Sequence, residues 1–159
     1  MKKILVLTVL SFVPLLVSDA KVLPTTKEDR DKVVWERLVH AICIVESGCD
    51  DKAKNKASSA SGRFQMLKVY VDEVNRIKGK HLYSYKDRFD PVKSREMFEI
   101  YQSHHNPTKD IDKAIVLHRG KKVKSYIRKV KEESLIFNAM TVCWTEGCYY
   151  FEGEVTGSY

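Results

Sequence analysis

No internal repeat and no low-complexity stretch runs through these 159 residues, which excludes a solenoid or a disordered linker protein. The one long apolar run, Ile4 to Val17, is short for a membrane span, which needs about 20 apolar residues, and Thr8, Ser11 and Pro14 break it. Lys21, not a cysteine, stands directly after Ser18-Asp19-Ala20, so a lipid anchor is not expected; no stable membrane anchor is expected of the chain. No histidine stands near either cysteine pair at zinc-ligand spacing, which argues against a metal site. No metal or organic cofactor is implied. Acidic residues are the minority, 21 Asp and Glu against 28 Lys and Arg, and the formal charge is +7.

What is present at the N-terminus reads as an address. Lys2 and Lys3 form a positive start, the apolar run follows, and Ser18-Asp19-Ala20 offers small residues for cleavage. That is the pattern of a secretory signal peptide over 1–20. One domain over 21–159, exported and monomeric, is the expected product. Export also makes nucleic acid a poor partner for the positive charge.

All four cysteines, Cys43, Cys49, Cys143 and Cys148, lie beyond the leader. An even count in an exported chain points to two disulfides, with three pairings open. Cys143 and Cys148 flank Trp144-Thr145-Glu146-Gly147, a plausible tight turn, which favours the local pair. Cys43 and Cys49 would then close around a helix end.

Periodicity predicts a mainly helical chain. A helix is expected from about Glu28 to Ser47, with Val34, Leu38, Ala41, Ile42 and Val45 on one face and Gly48 as its stop. Asp50 to Gly62 is polar and small and reads as loop or short strands. Further helices are expected from Phe64 to about Gly79, from Pro91 to His105, before Gly120, and over Lys121 to Ser134. The tail from Ala139 has the character of a small hairpin. The basic run Lys121, Lys122, Lys124, Arg128, Lys129 and Lys131 is by default a solvated helix face, or else a field for anionic polymers. His40, His81, His104 and His105 have no partner pattern and read as surface residues.

Glu46 stands out chemically. It lies one turn beyond Ile42, where the apolar face meets an opening. Burial there resists ionisation, and a proton-holding Glu suits general acid catalysis of glycoside cleavage. The plain alternative is a solvated Glu in the last turn of an amphipathic helix.

Downstream residues tip the balance. Glu46-Ser47-Gly48, Ala53 seven residues on, Gly62-Arg63-Phe64-Gln65-Met66, and the Asp90-Pro91 helix come in a defined order. In these motifs the chain resembles the soluble lytic transglycosylase and goose-type lysozyme group of the lysozyme-like superfamily. The run Gln65-Met66 through Tyr70 is similar to that of phage members. The resemblance covers roughly Trp35 to Gly120. It implies a mainly α, α+β lysozyme-like fold: a single helical domain with a small β/loop region beside the active-site cleft.

The resemblance also implies a substrate and roles. The substrate is the glycan strand of peptidoglycan, cleaved at the β-1,4 bond between N-acetylmuramic acid and N-acetylglucosamine. Glu46 is the implied catalytic acid and base. Ser47, Gln65, Tyr70, Tyr101 and His118 are the implied substrate-binding residues. Leu117-His118, or His118-Arg119, stands where the group has Tyr-Asn beside the Glu and the sugar N-acetyl group. For His118 the plain alternative is a helix-end residue favoured by the dipole, and for the two tyrosines it is core packing. A hydrolytic lysozyme would need a second carboxylate, for which Asp50 and Asp51 are candidates, although the favoured reading of both is that they solvate the loop, since charges stay at the surface. A non-catalytic wall-binding member of the fold is the third reading.

Overall fold

The computed structural model describes residues 26–136 and two short strands, 142–144 and 147–149, the strands as backbone only. The expected leader over 1–20 lies outside the described residues. Among the described residues five helices carry the domain: α1 (Lys27–Ser47), α2 (Lys68–Lys78), α3 (Pro91–His105), α4 (Ile111–Arg119) and α5 (Lys124–Ile136). A 3₁₀ turn, Tyr85–Phe89, precedes α3. The strands β1 (Val142–Trp144) and β2 (Gly147–Tyr149) pair antiparallel, as expected of the tail, with Cys143 opposite Cys148 in the register. Whether those two cysteines are bridged lies outside the described residues. The architecture is the mainly α fold with a small loop region expected from the sequence. Among the described residues no helix is long and apolar enough to cross a membrane.

The helix ends follow local chemistry. Thr26 caps α1: its hydroxyl accepts from the Asp29 amide at 3.0 Å, and Asp29 accepts from the Thr26 amide at 3.2 Å. Gly48 ends the helix in the left-handed region at φ 66°, with its amide on Ile44 O. Asp90 caps α3 ahead of Pro91, and Asp110 caps α4. The expected start of α2 is four residues early. Ser61 and Met66 pair as an antiparallel bridge, and this draws Phe64 to Met66 into the loop region.

α1 is the spine. It packs along α5, while α2 lies along α3. Trp35, Leu38, Val39, Ala41, Ile42 and Cys43 are buried. Val34, expected on the core face, is 48% exposed, because the buried stripe is centred on Leu38 and Ile42 and widens toward Trp35 and Val39 instead. Phe64 is fully buried and stacks on Phe98 of α3 at 5.4 Å. It plugs the loop region into the helical core. Cys43 and Cys49 form a disulfide with Cα atoms 4.9 Å apart, closing the covalent loop that contains Glu46.

The loop region is braced from three sides. The Arg63 guanidinium bonds both oxygens of Asp51, at 2.5 and 2.9 Å. The Ser47 hydroxyl donates to Arg63 O at 2.8 Å and accepts from the Asp50 amide at 3.1 Å. Arg88, 6% exposed, donates to three carbonyls: Tyr85 O at 2.8 Å, Ser59 O at 3.0 Å and Met66 O at 2.9 Å. Gly62 passes so close to Arg88 that a Cβ there would stand 2.7 Å from the Arg88 carbonyl carbon and nearer still to its oxygen.

Candidate active site

A cleft of about 660 Å³ runs between this loop region and the ends of α2, α3 and α4. Five of the six residues singled out in the sequence line it: Glu46, Gln65, Tyr70, Tyr101 and His118. Ser47 does not line it. Its hydroxyl is held by Arg63 O and the Asp50 amide, so it ties the end of α1 to the loop and neither bonds Glu46 nor faces the cleft.

Glu46 projects from the last turn of α1 with its side chain 10% exposed. The Tyr126 hydroxyl of α5 donates to its Oε1 at 2.6 Å. Burial raises the Tyr126 pKa, and the Glu46 carboxylate raises it further, so the phenol keeps its proton and remains a donor. Oε2 of Glu46 has no hydrogen-bond partner among the described residues. Tyr126 escaped the sequence reading. It lies 80 residues from Glu46, and only the packing of α5 on α1 joins the two.

His118 sits beneath the carboxylate. Its side chain is 3% exposed, and Nε2 stands 3.9 Å from Glu46 Oε1. That nitrogen donates to Phe64 O at 3.0 Å, which sets the proton on Nε2 and leaves Nδ1 as an acceptor. Burial lowers its pKa, against the pull of Glu46 and the Phe64 bond, so the ring is neutral. Nδ1 is buried with no partner among the described residues, as is the Tyr70 hydroxyl. The two rings meet edge to face at 6.1 Å.

Gln65 faces the cleft from a left-handed backbone at φ 47°. Its side-chain amide donates to Gly62 O at 2.9 Å, and its own oxygen has no hydrogen-bond partner among the described residues. Tyr70 is 9% exposed and stacks on Tyr101 at 4.3 Å. Tyr70 therefore builds the wall, and the half-buried Tyr101 presents the reachable edge.

Neither aspartate offered for a hydrolytic version takes that place, in keeping with their reading as loop residues. Asp50 is exposed and accepts from the Lys52 amide, and Asp51 is spent on Arg63; neither lines the cleft. Glu73 of α2 does, and it was not foreseen. Arg76 bonds both its oxygens, at 2.6 and 2.7 Å, and His105 approaches at 3.0 Å. The Arg76 bonds above all hold its pKa down at about 2. His105, read as a surface residue, is thus half-buried and engaged, and His40 is likewise partly covered. His81 and His104 are exposed as expected. Among the described residues no group of His, Cys, Asp or Glu could hold a metal ion.

The family model for the transglycosylase SLT domain matches residues 24–114. The chain belongs to the transglycosylase SLT family. No curated protein and no solved structure matches it. The SLT assignment agrees with the mainly helical lysozyme-like fold and supports transglycosylase action on the glycosidic bonds of peptidoglycan. The match takes in Glu46, Gln65, Tyr70 and Tyr101 and stops short of His118 and Tyr126.

Proposed function

We propose that this SLT domain is a lytic transglycosylase acting outside the cytoplasm, with Glu46 as its single acid and base. The observation that carries this reading is the asymmetry of the Glu46 carboxyl group. Tyr126 occupies one oxygen, and the other has no partner among the described residues, at the cleft. That second oxygen protonates the glycosidic oxygen between N-acetylmuramic acid and N-acetylglucosamine. The bond breaks, and the substrate's own N-acetyl group stabilises the resulting cation. The Glu46 carboxylate then takes the proton of the sugar 6-hydroxyl, and ring closure gives a 1,6-anhydro product. Gln65 offers its amide oxygen to a sugar donor, Tyr101 its ring edge, and His118 supports the floor beneath the acid.

The hydrolytic reading has one observation in its favour. Glu73 is an ionised carboxylate on the same cleft, as a water-activating partner would have to be. Its bonds to Arg76 and His105 weigh against that task. Mass analysis of peptidoglycan digests separates the two, since anhydro products are lighter by one water than hydrolysis products. Glu46→Gln keeps the shape and removes the proton. It should lower activity by about a hundredfold to ten-thousandfold, the range expected for loss of an acid–base catalyst. A folded Glu46→Gln protein of near-normal activity overturns the proposal.

A further inference from the structure

The charges lining the cleft are not alike in their pairing. Glu73 of α2 is matched by Arg76 and His105. Where α4 stops, Arg119 and Lys121 line the cleft, and both are exposed. Neither has a carboxylate partner among the described residues. Two cations of α5 do have partners: Arg128 pairs with Glu132 and Lys131 with Asp112. Arg119 is also held in place. Its guanidinium lies over the Tyr126 ring at 5.1 Å, and the same ring's hydroxyl bonds Glu46. One aromatic ring thus stands between this cation and the carboxylate assigned to cleavage.

A neutral N-acetylglucosamine polymer has nothing for two such cations to bind. N-acetylmuramic acid differs by its lactyl group, and the peptide stem attached there brings free carboxylates close to the cleaved bond. We propose that Arg119 and Lys121 form a subsite for the carboxylates of that peptide stem. This rests on the function proposed above. Arg119 supplies a planar fork suited to a carboxylate, and Lys121 a mobile point charge beside it. The subsite makes the protein select peptide-bearing strands over stripped ones.

The test uses peptidoglycan strands free of phosphate polymers, either peptide-bearing or stripped of peptide by an amidase. Cleavage of both is followed by mass spectrometry, and binding of the Glu46→Gln protein to both by co-sedimentation. The intact protein should favour peptide-bearing strands by about fivefold, as two partly exposed ion pairs allow. That preference should shrink as salt shortens the screening length below about 10 Å. Arg119→Gln/Lys121→Gln should bring the ratio close to one. Lys80→Gln/Lys86→Gln, which removes the same charge from exposed sites off the cleft, should leave the ratio as it was. Equal use of both strand types by the intact protein overturns the subsite, and so does a ratio that falls as far in the control pair. If neither strand type is cleaved, the transglycosylase reading fails, and the binding ratio still decides the subsite.

Discussion

Replacing Gly62 by alanine should damage this protein far more than the same change at Gly79. Both glycines are left-handed, at φ 72° and 65°, so the backbone penalty for a side chain is about 1 kcal/mol at each. They differ in space. A Cβ at Gly79 meets nothing within 4 Å, whereas at Gly62 it runs into the Arg88 carbonyl. The neighbour there is backbone, so no side chain can swing away. Relief requires the loop to part from the 3₁₀ turn. That movement pulls Ser59 O and Met66 O off a buried guanidinium. Each such bond to a charged group is worth about 1.5–3 kcal/mol. Gly62→Ala should therefore cost about 3 kcal/mol more than Gly79→Ala, a large part of the 5–15 kcal/mol typical of a domain. Urea unfolding of both variants with disulfides intact measures the difference directly. Thermal midpoints should differ by about 10 °C. Equal losses for the two variants would refute the argument that Gly62 is there for close approach.

Tyr126→Phe removes the donor on Glu46 Oε1 and should slow sacculus turnover by about 10- to 100-fold with the helical spectrum intact, as expected for one hydrogen bond to a charged group; a wild-type rate contradicts the role given to the phenol. Glu73→Gln should still yield anhydro products, whereas loss of all activity would turn the assignment toward a hydrolase. Because the Glu73 pKa lies below its ordinary 4.5, its pairing stabilises fully above pH 4.5 and is lost as pH falls toward 2. Glu73→Gln should accordingly flatten the stability profile in that window, by no more than about 1 kcal/mol for so exposed a pair. Cys43→Ala/Cys49→Ala opens the covalent loop around Glu46 and should cost about 2 kcal/mol in urea unfolding. The protein made under oxidising conditions should titrate no thiol before reduction, and two or more reactive thiols would remove the two-disulfide expectation.

What could be read from the sequence was local. Gly48 and Gly120 as stops, Pro91 as a start and the helical run of α1 all depend on neighbours within one turn. Glu46 and Gln65 were legible because two short motifs at a set spacing carry them. Tyr126 was hidden because its meaning comes from the docking of α5 on α1, which no local pattern reports. Glu73 was hidden for a related reason. Which side of α2 faces the cleft is decided by the stacking of Tyr70 on Tyr101 of α3. The α1 face was misjudged at Val34 because helical periodicity shows that a stripe exists but fixes its centre only to within a residue or two. Asp50 and Asp51 were near Glu46 in sequence, yet the turn after Gly48 carries both away from the cleft.

The bracing of the loop region bears on how a polymer enters. Ser47 fastens the loop to the helix that bears Glu46, Asp51 grips Arg63, and Arg88 holds the far side to the 3₁₀ turn. Glu46 and Gln65 therefore belong to one stiff jaw whose spacing does not change from one strand to the next. The other jaw, where α4 ends, is tied to the first through His118 on Phe64 O, and beyond that tie the side chains of Arg119 and Lys121 are exposed. A passing glycan chain is thus gauged against a fixed ruler on one side, and any adjustment to its decoration falls to the other.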